Sequence, residues 1–437
     1  MGRLEILITG SGIAGLATAI ALRQLESPDF KVNIQLYEKA TELREIGASI
    51  ALSPNGLRTL ERLGVHNALD DDVGFRGPSA IPMIYRHWKT NEVVSDDRFV
   101  NVPDHRHQTA RFHRGHLHQA LLEHVPRENI HLSKEVRHAE ADANGVTLYF
   151  EDGTSAKGDI LVGADGLRSK VRVAFNPGHA LHWTGRTLFR STFDASLVEA
   201  IQDLPQDSTH WWGPKHIFFA SKLGKNQYTT VGQYDPTDYP QSQDPATVSW
   251  DQVGDVSVFR DLYKDWNPVV KALAEETPYV RLFPNFAGQP LESWVFKSRV
   301  TLVGNAAHTH GGAYAAGGSL ALDDAWALYL SFLHILANGE PGADLSLQNI
   351  HGALILYEKV MLPHTERLMK NVLAGIGSSP PQNDEELRHR IKNRPSGTWH
   401  TEHDVEATFV RVLGEQERLR RPESSSDSRD GVKQSRL

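Results

Sequence analysis

The chain contains no cysteine among its 437 residues. This absence excludes disulfide bonds, thiolate nucleophiles, cysteine-ligated zinc and iron–sulfur clusters. If the protein carries out redox chemistry, the electrons must therefore pass through a bound cofactor.

Long runs of positive charge are also lacking. The 46 lysines and arginines are outnumbered by 54 aspartates and glutamates, which gives a formal net charge of -8. A surface that follows a nucleic acid backbone needs clustered lysine and arginine, so we expect no nucleic acid partner.

Long hydrophobic runs are scarce as well. The longest, residues 325–337, covers about 13 residues and includes His334, whereas a membrane-spanning helix needs roughly 20 apolar residues. We predict a buried helix there and no transmembrane segment. The apolar run at the N-terminus is too short for a secretory signal, so we expect an intracellular protein.

The sequence does contain a pattern of alternating strands and helices. Residues 4–10 and 32–38 are short apolar runs, and residues 13–25 between them carry apolar side chains at helical spacing. This predicts a strand–helix–strand unit. Further helices are expected from Pro54 to Gly64 and from Arg114 to Glu123.

A second pattern, typical of hairpins, covers residues 128–162. Asn144-Gly145 and Asp152-Gly153 separate alternating segments there and suit tight turns. Residues 181–289 are rich in aromatic side chains with strand-like runs, which predicts a separate sheet-bearing lobe. The chain shows no internal repeat.

A glycine-rich turn joins the first predicted strand to the first predicted helix. In the segment GSGIAG, Gly10 suits the tight turn, Gly12 lets the backbone approach a pyrophosphate, and Gly15 allows close packing of helix on strand. Glu38 ends the next strand, where its carboxylate can accept hydrogen bonds from ribose hydroxyls. The pattern predicts a site for an ADP moiety, with the phosphates at the helix N-terminus.

Four motifs together resemble one family. GADGLRS at 163–169, VTLVGNAAH at 300–308, REIGASI at 44–50 and HRGHL at 113–117 closely resemble those of class A flavoprotein monooxygenases, the salicylate hydroxylase-like group that shares the para-hydroxybenzoate hydroxylase fold. The resemblance covers about residues 4–375. It implies FAD as cofactor and an α/β fold: a Rossmann-like FAD-binding domain of the GR2 type, a second, sheet-bearing substrate lobe and C-terminal helices.

The expected domain boundaries follow from this resemblance and from the changes in pattern. They are residues 1–75, 101–180 and 290–375 for the three parts of the FAD-binding domain, 76–100 for an excursion into the substrate lobe, 181–289 for the substrate-binding sheet, 376–419 for a C-terminal helical segment and 420–437 for a disordered tail.

The resemblance also implies cofactor-binding roles, residue by residue. Arg114 matches an arginine near the FAD phosphates or ribityl chain, and Asp165 with Gly166 matches a segment that contacts the flavin. The remaining implied cofactor positions are Lys39, Gly47, Ala48, Gly304, Asn305, Gly317, Gly318 and Ser319. Backbone N–H groups of the last three would stabilise an anionic reduced flavin.

Two departures from the family pattern stand out. The acidic residue that normally bonds the ribityl hydroxyls is Asn305, which keeps an acceptor oxygen but loses the charge. A proline common a few residues after the family histidine is absent, and the segment reads HTHGGAYAAGG. We expect FAD to bind and the loop beside the flavin to have a different shape.

The candidate catalytic residues are Arg190, His216 and His310. Arg190 and His216 fall at family positions that can face the substrate, although an arginine on a strand is more often a surface residue and His216 suits a core histidine equally well. His308 and His310 are both expected beside the flavin, as proton donors or hydrogen-bond partners. Trp211, Trp212, Phe218 and Phe219 are expected either to line a pocket or to pack in the core.

Other polar residues are interpreted as structural. Asp323 and Asp324 lack a second carboxylate across a site, and His308 suits a scaffold role. The histidines at 105–118 surround the helix entry that holds Arg114, so we expect no metal site.

The function implied by the resemblance is aromatic hydroxylation. NADH or NADPH would reduce the FAD, O2 would add at C4a, and the hydroperoxide would oxidise a phenol or aromatic acid, with loss of a carboxylate if one occupies the attacked carbon. Epoxidation or dearomatisation of a biosynthetic intermediate and flavin binding without turnover are the alternatives. Monomer and homodimer both stay open.

The last three residues, Ser435-Arg436-Leu437, are a variant of the peroxisomal address. A polar tail can also end in this way by chance. Peroxisome and cytoplasm are therefore both expected locations.

Overall fold

The computed structural model of the chain describes residues 1–43, 48–234, 251–376 and 379–420. Its strands are β1 (Gly2–Thr9), β2 (Phe30–Tyr37), β3 (Ser49–Leu52), β4 (Ile84–His87), β5 (Val93–Asp96), β6 (Ala110–His113), β7 (Ile130–His131), β8 (Val136–Ala141), β9 (Val146–Phe150), β10 (Ser155–Gly158), β11 (Ile160–Gly163), β12 (Leu181–Asp194), β13 (Thr209–Trp212), β14 (Ile217–Leu223), β15 (Gln227–Tyr234), β16 (Gln252–Gly254), β17 (Val280–Gly288) and β18 (Val300–Leu302). Its helices are α1 (Ile13–Arg23), α2 (Pro54–Arg62), α3 (Arg114–Leu122), α4 (Lys170–Phe175), α5 (Val256–Tyr263), α6 (Pro268–Glu276), α7 (Gly317–Ala337), α8 (Leu347–Gly375), α9 (Asp384–Lys392), α10 (Thr398–Thr401) and α11 (Val405–Arg420).

A five-stranded sheet carries the N-terminal motif. Its order is β18-β11-β1-β2-β7, and every neighbouring pair runs parallel. The strand–helix–strand unit predicted at the N-terminus is confirmed as β1, α1 and β2. Because the strands are parallel, the carboxyl ends of β1, β2, β11 and β18 meet at one edge, where ligands bind in open α/β sheets.

A small antiparallel sheet of β8, β9 and β10 packs against β1. Its two hairpin turns contain Asn144-Gly145 and Asp152-Gly153, as the sequence predicts. Gly158 lies so close to β1 that a Cβ atom there would meet the Glu5 carbonyl oxygen at 3.0 Å.

The second large sheet has eight strands in the order β16-β17-β12-β15-β14-β13-β4-β5. Strands β4 and β5 come from well ahead of the others in the chain, and β4 joins β13 in parallel. Helices α5 and α6 cover one face around an aromatic core that includes Phe189, Trp211, Phe218, Phe259 and Tyr263. The exact domain boundaries stay a prediction.

Short strands β3 and β6 pair with each other and lie against the opposite face of the eight-stranded sheet. Thr229 on β15 donates from its Oγ1 to the Ser49 hydroxyl at 3.0 Å. This contact brings the end of the 44–50 motif onto the substrate-side sheet.

Helix α7 has the length and hydropathy of a membrane span, but most of that window is buried inside the protein against α1, α2 and α8. The buried helix predicted for residues 325–337 is confirmed as the C-terminal part of α7, although its last turn is partly exposed. The C-terminal segment returns to the body: α9 packs beside β5, α10 on α2, and α11 on α7 and α8. The predicted disordered tail lies outside the described residues from position 421 onward.

Candidate active site

The turn after β1 leaves room for a ligand to approach the backbone. Gly10 has φ +88°, and a Cβ there would lie 2.7 Å from the Ala164 carbonyl oxygen. A Cβ on Gly15 would lie 2.0 Å from the Gly10 carbonyl oxygen, so the turn admits no side chain at either position. Helix α1 begins after Gly12 with no side-chain cap, which leaves its first N–H groups for an anion.

The carboxylate of Glu38 lies beside this turn. It accepts hydrogen bonds from the Ser11 N–H at 2.9 Å and the Ser11 hydroxyl at 3.0 Å. Its other oxygen accepts from the Ala40 N–H. Glu38 is thus held next to the turn where a ribose would lie, whereas Lys39 is exposed.

Three motifs that are far apart in the chain meet at this edge. The Ala164 N–H donates to the Thr9 carbonyl at 3.0 Å, and the Val303 N–H donates to the Gly163 carbonyl at 3.0 Å. Gly304 has φ +59°, and a Cβ there would lie 2.8 Å from the Cβ of Ala14 on α1. The ends of β1, β11 and β18 therefore form one continuous rim.

The side chain of Asp165 is engaged within the protein. Its carboxylate accepts from the Ser169 hydroxyl and from the Lys170 and Val171 N–H groups, which cap α4. Burial raises the pKa of Asp165. The backbone of Asp165 and Gly166, where φ is +78°, is what this segment can offer a cofactor.

Asn305 presents a free amide at the same rim. Its side chain is exposed and makes no hydrogen bond within the described residues, while its backbone carbonyl accepts from Arg172 Nη1 at 3.2 Å and from the Thr309 hydroxyl at 2.7 Å. The backbone is fixed and the amide can turn toward a ribityl chain.

Helix α7 starts with an uncapped N-terminus beside Asn305. Gly318 packs on β3, since a Cβ there would lie 2.9 Å from the tips of both Ile50 and Leu52. The Ser319 hydroxyl accepts from the Ser53 N–H at 3.0 Å, so its side chain holds α7 against α2. Of the three predicted residues, Gly317 alone leaves its Cβ position open toward the rim.

Two arginines converge near β3. The Arg114 N–H donates to the Ala48 carbonyl at 2.8 Å, and Arg190 Nη1 contacts the Ser49 carbonyl at 3.4 Å. Burial, followed by the charge of Arg114, lowers the pKa of Arg190 to about 10. Arg190 therefore belongs to the cationic region that the sequence assigns to FAD. Gly47 lies outside the described residues.

The same sheet face carries a row of side chains leading away from Arg190. In the strand register, Arg190 is opposite Val231, Val231 is opposite Phe219, and Phe219 is opposite His210. His210 stacks on Tyr85 with ring centroids 5.9 Å apart, and burial lowers the pKa of His210 to about 3. This row forms an aromatic wall with one neutral histidine.

Arg111 on β6 faces this wall and was missed by the sequence reasoning. Its Nε donates to the Ser208 hydroxyl at 3.1 Å and its Nη2 to the Pro82 carbonyl at 3.1 Å. Its guanidinium lies 5.4 Å from the centre of the Phe219 ring. Among the described residues no carboxylate pairs with Arg111, and burial lowers its pKa to about 10. The sequence signal for Arg111 was strand alternation in the segment TARFH. Because Phe112 points into the core, the neighbouring Arg111 must point to the opposite face.

No protein-family model matches the chain, but individual proteins of known sequence and structure do. Over 331 residues the chain is 27% identical to a 6-hydroxynicotinate 3-monooxygenase of Bordetella bronchiseptica, which covers 74% of this chain and 81% of that protein. A salicylate hydroxylase substrate complex superposes with a TM-score of 0.75 at 21% identity, covering 94% of this chain and 98% of that one. Klebsiella pneumoniae HpxO complexed with FAD and uric acid gives a TM-score of 0.70 at 20% identity, covering 94% and 97%.

The chain belongs to the class A FAD-dependent aromatic monooxygenases. The fold expected from the sequence is thereby confirmed. The rim described above fits the cofactor of this family, because an open glycine turn, an uncapped helix, a ribose-side carboxylate and a free amide follow one another along it.

In this class A monooxygenase, His216 is not brought next to Arg190. It lies in the turn before β14, where its carbonyl accepts from the Gly213 N–H at 2.9 Å. That position is three residues along the strand from Phe219, which shares a row with Arg190. His210 occupies the row in its place.

Two of the four aromatic residues considered for the pocket lie elsewhere. Trp211 and Phe218 are fully buried on the far face, in the core with α5 and α6. Trp212 and Phe219 point to the opposite face, as strand alternation requires. Only the latter pair can line a pocket of the monooxygenase.

The buried acids of α7 serve the fold, as the sequence analysis predicts. Asp323 accepts from Asn55 Nδ2 and from the Thr59 hydroxyl, both at 2.7 Å. Asp324 accepts from the Gly304 N–H at 2.7 Å and pairs with His308 Nε2 at 2.7 Å. The pair fixes the turn after β18 from below.

His310 is the candidate catalytic residue that lies at the rim. A Cβ on Gly317 would be 3.4 Å from His310 Nε2 and 3.9 Å from the Asn305 side-chain oxygen. Neither ring nitrogen of His310 bonds another of the described residues, and burial lowers its pKa to about 3. A neutral imidazole with two open nitrogens can accept or donate a proton there. Within the described residues, no three His, Asp or Glu side chains are grouped so that they could hold a metal ion.

Proposed function

We propose that this monooxygenase uses NADH or NADPH and O2 to hydroxylate a phenolic or aromatic-acid substrate. The observation that carries the proposal is the shared rim at the carboxyl ends of β1, β11 and β18, which faces the aromatic wall of the second sheet. Bound FAD would take up the electrons of the coenzyme and activate O2. The fold supplies the site between the two sheets.

Different residues of the rim would bind different parts of FAD. The glycine turn and the N-terminus of α1 would bind the pyrophosphate, and Glu38 the ribose. Arg114 adds positive charge near the phosphates, and the amide of Asn305 would bond the ribityl chain. The uncapped start of α7 would face the pyrimidine edge of the flavin.

The charge balance of the aromatic wall favours an anionic substrate. Asp97 is neutralised by Arg394, which pairs with it and lies 3.5 Å from the Tyr85 ring centre. Burial, then Asp97, raises the pKa of Tyr85 to about 12, so its hydroxyl stays neutral. Arg111 is a buried charge with no ion-pair partner among the described residues, which is costly unless a ligand pairs with it. A carboxylate or phenolate group on the substrate ring would supply the negative charge that pairs with Arg111.

A second candidate reaction is epoxidation or dearomatisation, and one observation favours it. Gly311 and Gly312 have φ values of +64° and +66°, which proline cannot adopt. The loop beside the flavin therefore differs from the proline-containing form in shape as well as in sequence. Structural analysis of the product by mass spectrometry and NMR distinguishes this reaction from ring hydroxylation.

The cofactor is tested first. The purified protein should show an oxidised-flavin absorption spectrum, and denaturation should release FAD. A colourless protein that takes up no added FAD would reject the proposal.

The reaction is tested next with a panel of hydroxylated aromatic acids and the matching phenols without a carboxylate. We expect an acid of the panel to stimulate NADH or NADPH oxidation and to yield a product with one added oxygen. FAD binding with no stimulation by any member of the panel would instead support the third reading, flavin binding without turnover.

We also propose that the protein is delivered to peroxisomes, with the cytoplasm as the alternative. The tripeptide Ser435-Arg436-Leu437 that suggests this lies outside the described residues. A fluorescent protein fused to the N-terminus should colocalise with a peroxisomal marker, and deletion of the tripeptide should make it diffuse. Diffuse fluorescence of the intact fusion would reject peroxisomal delivery.

A further inference from the structure

Five histidines from three separate segments gather behind the N-terminus of α7. We call them the histidine cluster; its members are His308, His310, His364, His400 and His403. His364 lies on α8, and His400 belongs to α10 near the C-terminus. The C-terminal segment thus contributes side chains directly behind the flavin site.

The cluster runs from the interior toward the surface. His308, His310 and His400 are buried, with 0%, 2% and 3% of their surface exposed, while His364 and His403 are half-buried. The rings of His308 and His310 are stacked with centroids 6.3 Å apart, and those of His364 and His403 with centroids 4.0 Å apart.

Trp399 connects His400 to the outer pair, because its ring packs on both His364 and His400 at 5.3 Å. The charge of His400 would lower the pKa of both His310 and His364, which places it within electrostatic reach of each. Its ring packs against Tyr314 at 5.1 Å and against Trp399 at 5.3 Å. Tyr314 holds a left-handed φ of 57°, an unfavourable conformation for a tyrosine, in the loop that follows His310.

Most of these rings have buried nitrogens without a partner. Within the described part of the chain, the unpaired atoms are Nδ1 of His308, both ring nitrogens of His310, Nε2 of His364, Nε2 of His400 and Nδ1 of His403. Buried polar atoms in folded proteins are almost always bonded, to ordered water where no protein group serves. We therefore expect water between the rings.

The charged and titratable groups around the cluster come from several elements. They are Asp323 and Asp324 on α7, Tyr357 and Arg367 on α8, Arg58 on α2, and Asp97 after β5. His308 is the one member of the cluster that Asp324 bonds within the described residues, and Asp323 lies 3.7 Å from His403 Nδ1. No carboxylate among the described residues bonds His310, His364 or His400, so these rings are neutral at pH 7.

We propose that the histidine cluster conducts the hydroxyl proton of a phenolic substrate from the pocket to solvent. His310 is the catalytic residue: it accepts the proton on one ring nitrogen and releases one from the other to water. His400, His364 and His403 relay the proton outward in the same way. The substrate becomes a phenolate, solvent gains one proton, and no electron moves. The inference rests on the proposed function.

The first test needs neither oxygen nor turnover. The probe is 4-hydroxy-3-nitrobenzoate, whose phenolate absorbs visible light, bound to the FAD-loaded protein without oxygen. After a jump from low to high pH, the rate of phenolate formation reports how fast the proton leaves the pocket. Because positioned acid–base groups contribute about 10²–10⁴-fold, we expect His400→Phe and His364→Phe to slow this rate at least about tenfold. Added imidazole should partly restore it.

His87 offers a matched control. It is 3% exposed, but both ring nitrogens are bonded, Nε2 by Asp384 and Nδ1 by the Thr90 hydroxyl at 3.1 Å. His87→Phe should cost stability and leave the rate unchanged. Equal rates in wild type and both cluster variants would overturn the relay, as would equal slowing by His87→Phe.

A second test separates this inference from the proposed function. Exchange of the ring N–H protons with solvent can be followed by NMR in the protein without any probe. A wet relay predicts exchange of the His310 and His400 protons that is too fast to observe, with slow exchange at His87. Protected N–H protons at His310 and His400 would overturn the relay, even in an enzyme that binds FAD and turns over. Fast exchange with no turnover would reject the proposed function alone.

Discussion

At the scale of single residues, the buried arginines of the chain differ in how many of their guanidinium N–H groups are hydrogen-bonded. Arg299 donates to three backbone carbonyls, those of Asp142, Ala143 and Asp159. Arg111 is equally buried yet has only a hydroxyl and one carbonyl. A guanidinium that is half satisfied beside an aromatic wall is a site for an anion, whereas a fully satisfied one is part of the scaffold.

This contrast leads to a prediction about ligand preference. Arg111→Met should weaken the binding of hydroxybenzoates by about tenfold or more, since a charge-assisted hydrogen bond is worth roughly 1.5–3 kcal/mol. Binding of the corresponding phenols without a carboxylate should change little. Flavin absorbance titrations with both ligand types measure the two constants.

The control variant is Arg299→Met, which should lower stability without changing the ratio of the two constants. An unchanged ratio in Arg111→Met would show that the carboxylate binds elsewhere, with Arg190 as the next candidate.

The residues that could be predicted from the sequence are those whose role depends on the secondary structure of the residues next to them in the chain. Gly10, Gly15 and Glu38 lie in a strand–turn–helix–strand context that the sequence displays directly. Arg111, His210 and His400 acquire their roles from neighbours across a sheet or from the C-terminal segment. Strand register decides which face a side chain takes, and a shift of one residue reverses it. That is why Trp211 and Trp212 were indistinguishable in sequence.

At the scale of elements, the contact between α2 and α7 holds the start of α7 in place. A Cβ on Gly56 would lie 2.7 Å from the Ser319 hydroxyl oxygen and 2.8 Å from the Ser319 Cα. The latter atom belongs to the backbone and cannot move away by rotation. The two helices therefore touch without an intervening side chain.

Gly56→Ala should accordingly reduce the free energy of unfolding by about 1–3 kcal/mol, the usual cost of overpacking. Urea denaturation measures it. Gly352→Ala on α8 is the control, since its nearest neighbour would lie at an ordinary 3.6 Å and alanine favours helix. It should be neutral or stabilising. Equal effects of the two substitutions would contradict the packing argument.

The elements themselves were largely predictable. Apolar periodicity and turn residues placed β1, α1, β2, α2, α3 and the hairpins of β8 to β10 close to their observed bounds. The pairing of β4 with β13 was not predictable, because parallel partners more than a hundred residues apart leave no local signal. The position of α10 behind the flavin site was hidden for the same reason.

At the scale of the whole molecule, buried neutral histidines make the fold sensitive to acid. His210 and His310 have pKa values lowered to about 3 by burial, against about 6.5 in an unfolded chain. Below pH 6.5 both histidines bind a proton in the unfolded chain but stay unprotonated in the folded protein. The contribution of these two histidines to stability is therefore fully present above pH 6.5 and is lost as the pH falls toward 3.

Each of these two histidines contributes at most roughly 2 kcal/mol to the loss of unfolding free energy between pH 6.5 and 5, and His364 and His400, whose pKa values burial also lowers, add to the same loss. Urea denaturation at both pH values measures the loss, and His210→Gln should make it smaller by up to roughly 2 kcal/mol. A free energy that does not change over this interval would show that these histidines are protonated in the folded protein.

The order of strands in the five-stranded sheet means that neighbouring strands are synthesised at widely separated times. β1 is made first, but its neighbour β11 ends at residue 163 and β18 ends at residue 302. A ribosome that adds about 5–20 residues per second needs roughly 15–60 seconds to reach that point. During this interval the nascent glycine turn belongs to an unfinished sheet with an open edge. The complete flavin rim therefore exists only after β18 has been synthesised, so a chain that ends before residue 302 should not retain FAD.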